Sequence, residues 1–281
     1  MDRPPARCLH AGVNDRRQIS ARLSFTLVAV NIAFFGGTFD PIHRGHVAVA
    51  ESAAKRFELG KVLFVPAEVP PHKQTQTFAS FAHRIAMVAL GTSGHPAFIP
   101  SDMEARLYAE SGKPNYSLET IRRLKTELKK ADKLYFLIGI DAFLDIAKWH
   151  RPVDVLRECD FIVANRPGYS LGDIAGALPE ELRPKDEVLK AARKGAGSLA
   201  SSGAIMAFSG VVLHLLEDVS ERVSSTQLRT AAASSGRRLE GYVGDAVAEY
   251  IRKTRLYRTG KAAETANPPT HTSTAKKKSR R

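Results

Sequence analysis

Apolar residues fall along the chain in short blocks that alternate between two periods. Val28–Phe35, Lys61–Pro66, Ala97–Pro100, Leu134–Gly139, Phe161–Ala164 and Val211–Leu216 are apolar at nearly every position, which predicts strands buried on both faces. Between them, Val47–Phe57, Phe81–Leu90, Ser117–Lys130, Pro152–Glu158, Ser225–Ala233 and Asp245–Thr254 read as helices. In Ser117–Lys130, Leu118, Ile121, Leu124 and Leu128 line one helical face. Pro152 stands in a first turn, where its missing N–H costs nothing. Strands of this kind, alternating with helices, need cover on two sides. The expected fold is therefore α/β: a doubly wound, Rossmann-like parallel sheet with helices on both faces and a short helical part at the C-terminal end. Ligands of such sheets bind beyond the carboxyl ends of the strands, so the strand-to-helix loops weigh most.

The pattern fits a single domain over residues 26–258 of the 281. Residues 167–203 are rich in Gly, Pro and charge and read as a surface insertion with one helix. Residues 1–25 read as a disordered extension, or as a translation start placed too early. Residues 259–281 read as a disordered basic tail ending in Lys276-Lys277-Lys278 and Arg280-Arg281. The formal charge of +13 is concentrated at the ends: residues 1–30 hold five Lys/Arg against two Asp/Glu, and residues 261–281 hold six against one. The excess thus argues only weakly for nucleic acid or a membrane, and neither is expected as a partner. Arg16 and Arg17 before the apolar run Leu23–Phe35 suggest a signal peptide, but cleavage after that run would remove the loop described next. No window reaches the ~18 apolar residues of a membrane span. The two cysteines, Cys8 and Cys159, exclude a disulfide scaffold, and the chain reads as cytoplasmic. A homo-oligomer is compatible with the sequence.

The strongest chemical signal is Gly36-Gly37-Thr38-Phe39-Asp40-Pro41-Ile42-His43-Arg44-Gly45-His46, between the first strand and the first helix. Glycines without Cβ atoms let backbone N–H groups approach phosphate oxygens. Thr38 adds a hydroxyl, and His43 and His46 share a face where a helix N-terminus already favours an anion. A zinc site is a poor alternative, because no third ligand lies nearby in the sequence.

Other loops add to this one. Val65–Lys73 carries Lys73 beside two prolines, either as an exposed turn or as a phosphate contact. Tyr116, Ser117 and Thr120 open a helix, either as N-terminal residues or as pocket lining. Asp141 follows the fourth strand, as a helix cap or as an acceptor for a ribose hydroxyl. Trp149, the sole tryptophan, lies among Lys148, His150 and Arg151, either as core or as a platform for an aromatic ring. Ser224-Ser225-Thr226-Gln227 opens a late helix with Arg229 one turn on; capping and phosphate binding are both served.

GGTFDPIHRGH resembles the GxFDPxHxGH signature of the nucleotidyltransferase superfamily. VPAEVPPHK, IGIDAFLDIAKWHRP, VSSTQLR and GYVGDAVAEYIRKTRLY resemble, in order, further motifs of the bacterial nicotinate-nucleotide adenylyltransferases. The resemblance spans about Asn31 to Tyr257. It implies transfer of AMP from ATP to nicotinate mononucleotide, giving deamido-NAD and pyrophosphate in NAD biosynthesis. His43 and His46 would be the catalytic pair. Gly36, Gly37, Thr38, Phe39, Lys73, Asp141, Ser225, Thr226 and Arg229 would hold ATP and its phosphates. Tyr116, Ser117, Thr120, Trp149 and His150 would surround the mononucleotide. Mg²⁺ would accompany ATP, with no dedicated protein metal site. The sister substrates, nicotinamide mononucleotide and pantetheine phosphate, form the alternative. The chain departs from the family pattern at Gly244, where a proline is usual, and at His150, where an aromatic is common.

Overall fold

The computed structural model of the chain describes residues 29–69, 79–166, 168–194, 205–217, 223–234 and 239–258. The expectations for residues 1–25, for the tail and for Lys73 lie outside them. One sheet is formed by β1 (Asn31–Gly37), β2 (Leu59–Pro66), β3 (Phe98–Pro100), β4 (Lys133–Gly139), β5 (Asp160–Ala164), β6 (Ile205–Phe208) and β7 (Val211–Leu216), in the order β3-β2-β1-β4-β5-β7-β6. Six strands are parallel, and β6 pairs antiparallel with β7 at one edge. All six expected strands are present. The added β6 is joined to β7 through Ser209 and Gly210, whose φ values of 49° and 78° turn the chain tightly back.

The helices are α1 (Arg44–Arg56), α2 (Phe81–Thr92), α3 (Met103–Ser111), α4 (Ser117–Glu127), α5 (Ile140–Phe143), α6 (Pro152–Glu158), α7 (Leu171–Gly176), α8 (Asp186–Lys194), α9 (Ser225–Ala233), α10 (Glu240–Val243) and α11 (Asp245–Thr254). Strand residues divide between two cores by their period of two. Ile32, Phe34, Phe136, Ile138, Phe161 and Val163 meet α4, α6 and α7 through Leu118, Ile121, Leu124, Val155, Leu156 and Ile174. Ala33, Phe35, Tyr135, Leu137, Ile162 and Ala164 meet α1, α2, α9 and α11 through Ala50, Ala53, Met87, Val88, Leu228, Val247 and Ile251. The sheet is covered on both faces, as expected.

The chain runs outward from β1 through β2 to β3, then returns to place β4 on the other side of β1. The loops leaving β1 and β4 therefore diverge, and a crevice opens between them at the carboxyl ends. His43 lies on the loop leaving β1, and Asp141 in the helical turn that follows β4.

Residues 167–203 hold more order than one surface helix. They contain α7, a short 3-10 turn at Glu180–Leu182, and α8. Leu171, Ile174, Ala175, Leu178, Leu182 and Leu189 are buried in the first core. The Gly, Pro and charged residues between them hide a helical apolar stripe from a reading by composition. Replacing Ile174, which has no exposed surface, with Ala is expected to cost about 2–5 kcal/mol in urea unfolding. A loss below about 0.5 kcal/mol would instead fit a surface segment.

Candidate active site

The loop leaving β1 is shaped by packing. A Cβ on Gly37 would stand 3.0 Å from the Phe39 ring, so only glycine lets the strand end so close to it. Phe39 takes φ 48°, which turns its side chain inward. Its ring, 2% exposed, packs against Phe64 at 5.6 Å and His46 at 5.0 Å between centroids. Phe39 borders the polar cleft, while its ring packs into the core and braces His46 from behind.

His43 and His46 form a capping box at the start of α1. His43 is the N-cap, and its Nδ1 accepts from the His46 N–H at 3.3 Å. His46 is the third helical residue, and its Nδ1 accepts from the His43 N–H at 3.2 Å. The rings stack at 3.7 Å between centroids. The consequence is chemical. With both Nδ1 atoms accepting, each neutral ring must carry its proton on Nε2. Two fixed Nε2–H donors result. Burial holds His43 down at about 4, with the nearby Arg166 charge adding to it. Burial, then the His43 charge, holds His46 well below the ordinary value. Both rings are therefore neutral at neutral pH.

The loop is anchored by Asp40, which is 1% exposed. Its carboxylate accepts from the Tyr257 hydroxyl at 2.5 Å and from the Ala79 N–H at 3.4 Å. Burial raises its pKa, opposed first by the Tyr257 bond. Arg229 Nη1 donates to the Asp40 carbonyl at 2.9 Å, and its Nη2 to Thr226 Oγ1 at 3.1 Å. Arg84, also buried, donates from Nε, Nη1 and Nη2 to the carbonyls of Ala79, Thr38 and Glu68, each within 3.1 Å.

Across the crevice stands the start of α9. Ser224 caps it by accepting from Gln227 N at 3.3 Å, and Ser225 Oγ donates to the Pro41 carbonyl at 3.1 Å. Gly36, Thr38, His43, His46, Asp141, Ser225, Thr226 and Arg229 thus line one cleft of about 470 Å³. Asp141 is not a helix cap. It lies in the first turn of α5, and its carboxylate pairs with Arg166 at 2.9 Å. Arg166 and Asn165, which also line the cleft, had no reading from the sequence, although their place just past β5 is the kind that binds ligands.

A second cavity of about 250 Å³ opens beside the first and is mainly apolar. Trp149 lines it half-buried, packed 6.0 Å from Phe136 between centroids. Tyr116 and His150 stack at 4.4 Å on the same wall, and Ser117 joins them. His150 thus fills an aromatic's place by stacking. Thr120 does not reach this cavity. It has no exposed surface, and its hydroxyl lies 3.3 Å from Glu104 Oε1. One turn into α4, it faces the core beneath the pocket. Glu104 does line the cavity, a buried carboxyl that sequence reading passed over because α3 had no clear apolar stripe. Among the described residues no group of three or more His, Cys, Asp or Glu converges to hold a metal ion, and no helix is long and apolar enough to cross a membrane.

The cytidylyltransferase-like family model matches residues 34–231. A Geobacter sulfurreducens protein named "probable nicotinate-nucleotide adenylyltransferase" is 37% identical over 224 residues, 79% of this chain and 95% of that one. The protein of the same name from Geobacter metallireducens is 35% identical over 222 residues, again 79% and 95% of the two chains. The solved structure of Plasmodium falciparum nicotinic acid mononucleotide adenylyltransferase complexed with NaAD superposes with a TM-score of 0.58 at 18% identity, covering 81% of this chain and 97% of that one. That likeness concerns the fold. A doubly wound sheet with a crevice lined by histidine, hydroxyl and guanidinium groups at its switch point, in a chain so matched, is a nucleotidyltransferase. Within that class the chain belongs to the nicotinate-nucleotide adenylyltransferase family.

Two measurements test this geometry. Because the folded protein holds His43 below 6.5, the unfolded chain takes up the proton first on acidification, and stability falls between pH 6.5 and about 4. His43→Asn keeps a capping acceptor without a titrating ring. Its unfolding free energy is expected to fall less across that window than the wild type's; equal slopes would count against the buried neutral ring. Tyr257→Phe removes the donor to Asp40 and is expected to cost about 1–3 kcal/mol in urea unfolding.

Proposed function

We infer that this chain joins the AMP moiety of ATP to nicotinate mononucleotide, releasing pyrophosphate and forming deamido-NAD. The observation that carries the reading is a shared wall: Gly36, Thr38 and Ala142 line both the polar cleft and the aromatic cavity. A nucleoside triphosphate in the first and a pyridine ring in the second would bring their phosphates together over the loop leaving β1. The curated relatives carry the nicotinate name rather than that of a sister substrate.

The chemistry needs little from the protein beyond placement. An oxygen of the mononucleotide phosphate attacks the α-phosphorus of ATP. The bond from that phosphorus to the bridging oxygen breaks, and pyrophosphate leaves with the electron pair. The attacking phosphate has a second pKa of ~6 and is mostly ionised at neutral pH, so no general base is required. What remains is to hold two polyanions together and to stabilise the charge that moves onto the leaving group. The Nε2–H groups of His43 and His46 serve the second need, and binding an anion favours their protonation. Arg229 and the α9 N-terminus, with Ser225 and Thr226, hold the triphosphate. Gly36 and Gly37 let backbone approach it, and Lys73 adds charge from the neighbouring loop. Asp141 faces the adenosine side. Trp149, Tyr116, Ser117 and His150 surround the ring. Magnesium belongs to the ATP substrate and neutralises phosphate charge when bound; hydroxyl, guanidinium and N–H donors suit the phosphate oxygens that carry it.

Purified protein with ATP and each mononucleotide in turn should release pyrophosphate with nicotinate mononucleotide. His46→Ala should lower kcat by about 10²–10³-fold, with an unchanged circular dichroism spectrum. A near-normal kcat in that folded variant would remove the role assigned to His46.

A further inference from the structure

Glu104 is the one acidic residue among those lining the aromatic cavity. It is 8% exposed and fastened on three sides. Oε2 accepts from the Glu68 N–H at 3.2 Å, in the loop after β2. Oε1 faces the Thr120 hydroxyl at 3.3 Å, on α4. The Glu104 carbonyl accepts from Asn115 Nδ2 at 2.7 Å. The carboxyl is therefore held by the loop after β2 and by α4, and its main chain by Asn115, so it stays at the edge of the cavity.

Its surroundings accept two protonation states. The Thr120 hydroxyl has a second acceptor, the Tyr116 carbonyl at 3.4 Å. When Glu104 is ionised, that hydroxyl can donate to Oε1. When Oε1 is protonated, the hydroxyl can turn to Tyr116 and accept instead, so neither state strands a buried polar group. The charged groups facing Glu104 are Glu68, on the loop after β2, and Arg84, on α2. Tyr116 and His150 share the cavity wall. Glu68 Oε2 is itself buried without a hydrogen-bond partner among the described residues, so two carboxyls crowd one poorly hydrated spot. Burial is the main cause that lifts Glu104 to about 7; the Glu68 charge adds to it, and the Glu68 N–H, Thr120 and Arg84 oppose it.

We propose that Glu104 is a specificity-determining residue of the ring pocket: protonated, it admits a ring bearing an anionic substituent, and ionised, it disfavours that ring relative to one with a neutral substituent. The proposal rests on the aromatic cavity's being the pyridine site. Its physical basis is that two carboxylates in a narrow, mainly apolar cavity repel strongly, whereas a neutral carboxyl group does not repel an anionic substituent. Preference for the acid mononucleotide over the amide is then greatest in mild acid and declines as pH rises through about 7.

Trp149, the only tryptophan, lines the same cavity and gives a binding signal that does not depend on turnover. Quenching of its fluorescence by nicotinate and by nicotinamide mononucleotide yields two Kd values at each pH. The phosphate and the titrating histidines are common to both measurements, so the ratio Kd(acid)/Kd(amide) isolates the ring substituent. The ratio should rise about tenfold between about pH 6 and about pH 8 in the wild type. It should stay within about twofold in Glu104→Gln, whose amide does not titrate. In Thr120→Val, which lacks the hydroxyl that favours the ionised form, the midpoint should move to higher pH. A flat wild-type ratio overturns the proposal, and this arm needs no variant to fold. A rise that persists in Glu104→Gln overturns it too. Pyrophosphate release from nicotinate mononucleotide, measured on the same preparation, separates the two levels. Turnover with a flat ratio removes only the role of Glu104, whereas no turnover and no quenching remove the reading of the cavity as well.

Discussion

The Asp40 carboxylate is almost wholly shielded from solvent, and the chain ties its far-separated parts to it. The Tyr257 hydroxyl comes from the turn after the last helix and the Ala79 N–H from two residues before α2, while the Arg229 guanidinium, from α9, donates to the Asp40 carbonyl and faces the carboxylate at 4.0 Å. A charge so placed is stable only while those donors stay in position, because losing one leaves a buried acceptor unsatisfied. The loop between β1 and α1 is consequently held from three directions. The described donors proposed to meet a phosphate are on that loop or across the cleft from it.

Around this anchor the cleft separates structural charge from working charge. Arg84 spends its three donors on backbone carbonyls, and Asp141 is balanced by Arg166. The two histidines are neutral and point preformed donors outward. A site that must admit two polyanions gains from this arrangement. Its donors are fixed before the ligands arrive, so little reorganisation accompanies the movement of charge. The formal charge of +13 says less about the partner than a few residues at the carboxyl ends of β1, β4 and β5.

Much of this was legible in the chain. Six strands followed from uniformly apolar blocks, since a buried parallel strand has no polar face. The HxGH spacing placed two histidines together because residues three apart at a helix start share a face. Its deeper meaning was not legible. That the histidines cap one another, and so fix each other's tautomer, depends on the extended backbone of His43 at φ −145° and ψ 169°. The packing of Phe39 was not legible because its φ of 48° turns the ring into the core even though the residue borders the cleft. Thr120 was misread because one helical turn carries a residue from the pocket rim to the interior. Residues 167–203 were misread because polar residues masked the apolar stripe of α7 and α8.

The sequence by itself determined the alternation of strands and helices, the pairing of His43 and His46 and the family, because these depend on residue types at short, regular spacings. Only the tertiary structure decided which side chains share a cavity. Glu104, Thr120 and Glu68 are scattered along the chain, yet one carboxyl joins them. Asp40 and Tyr257 are 217 residues apart and meet in a single hydrogen bond. Long-range pairs of this kind have no local signature: they arise where sheet order brings loop ends together, and burial then makes each polar group find a partner.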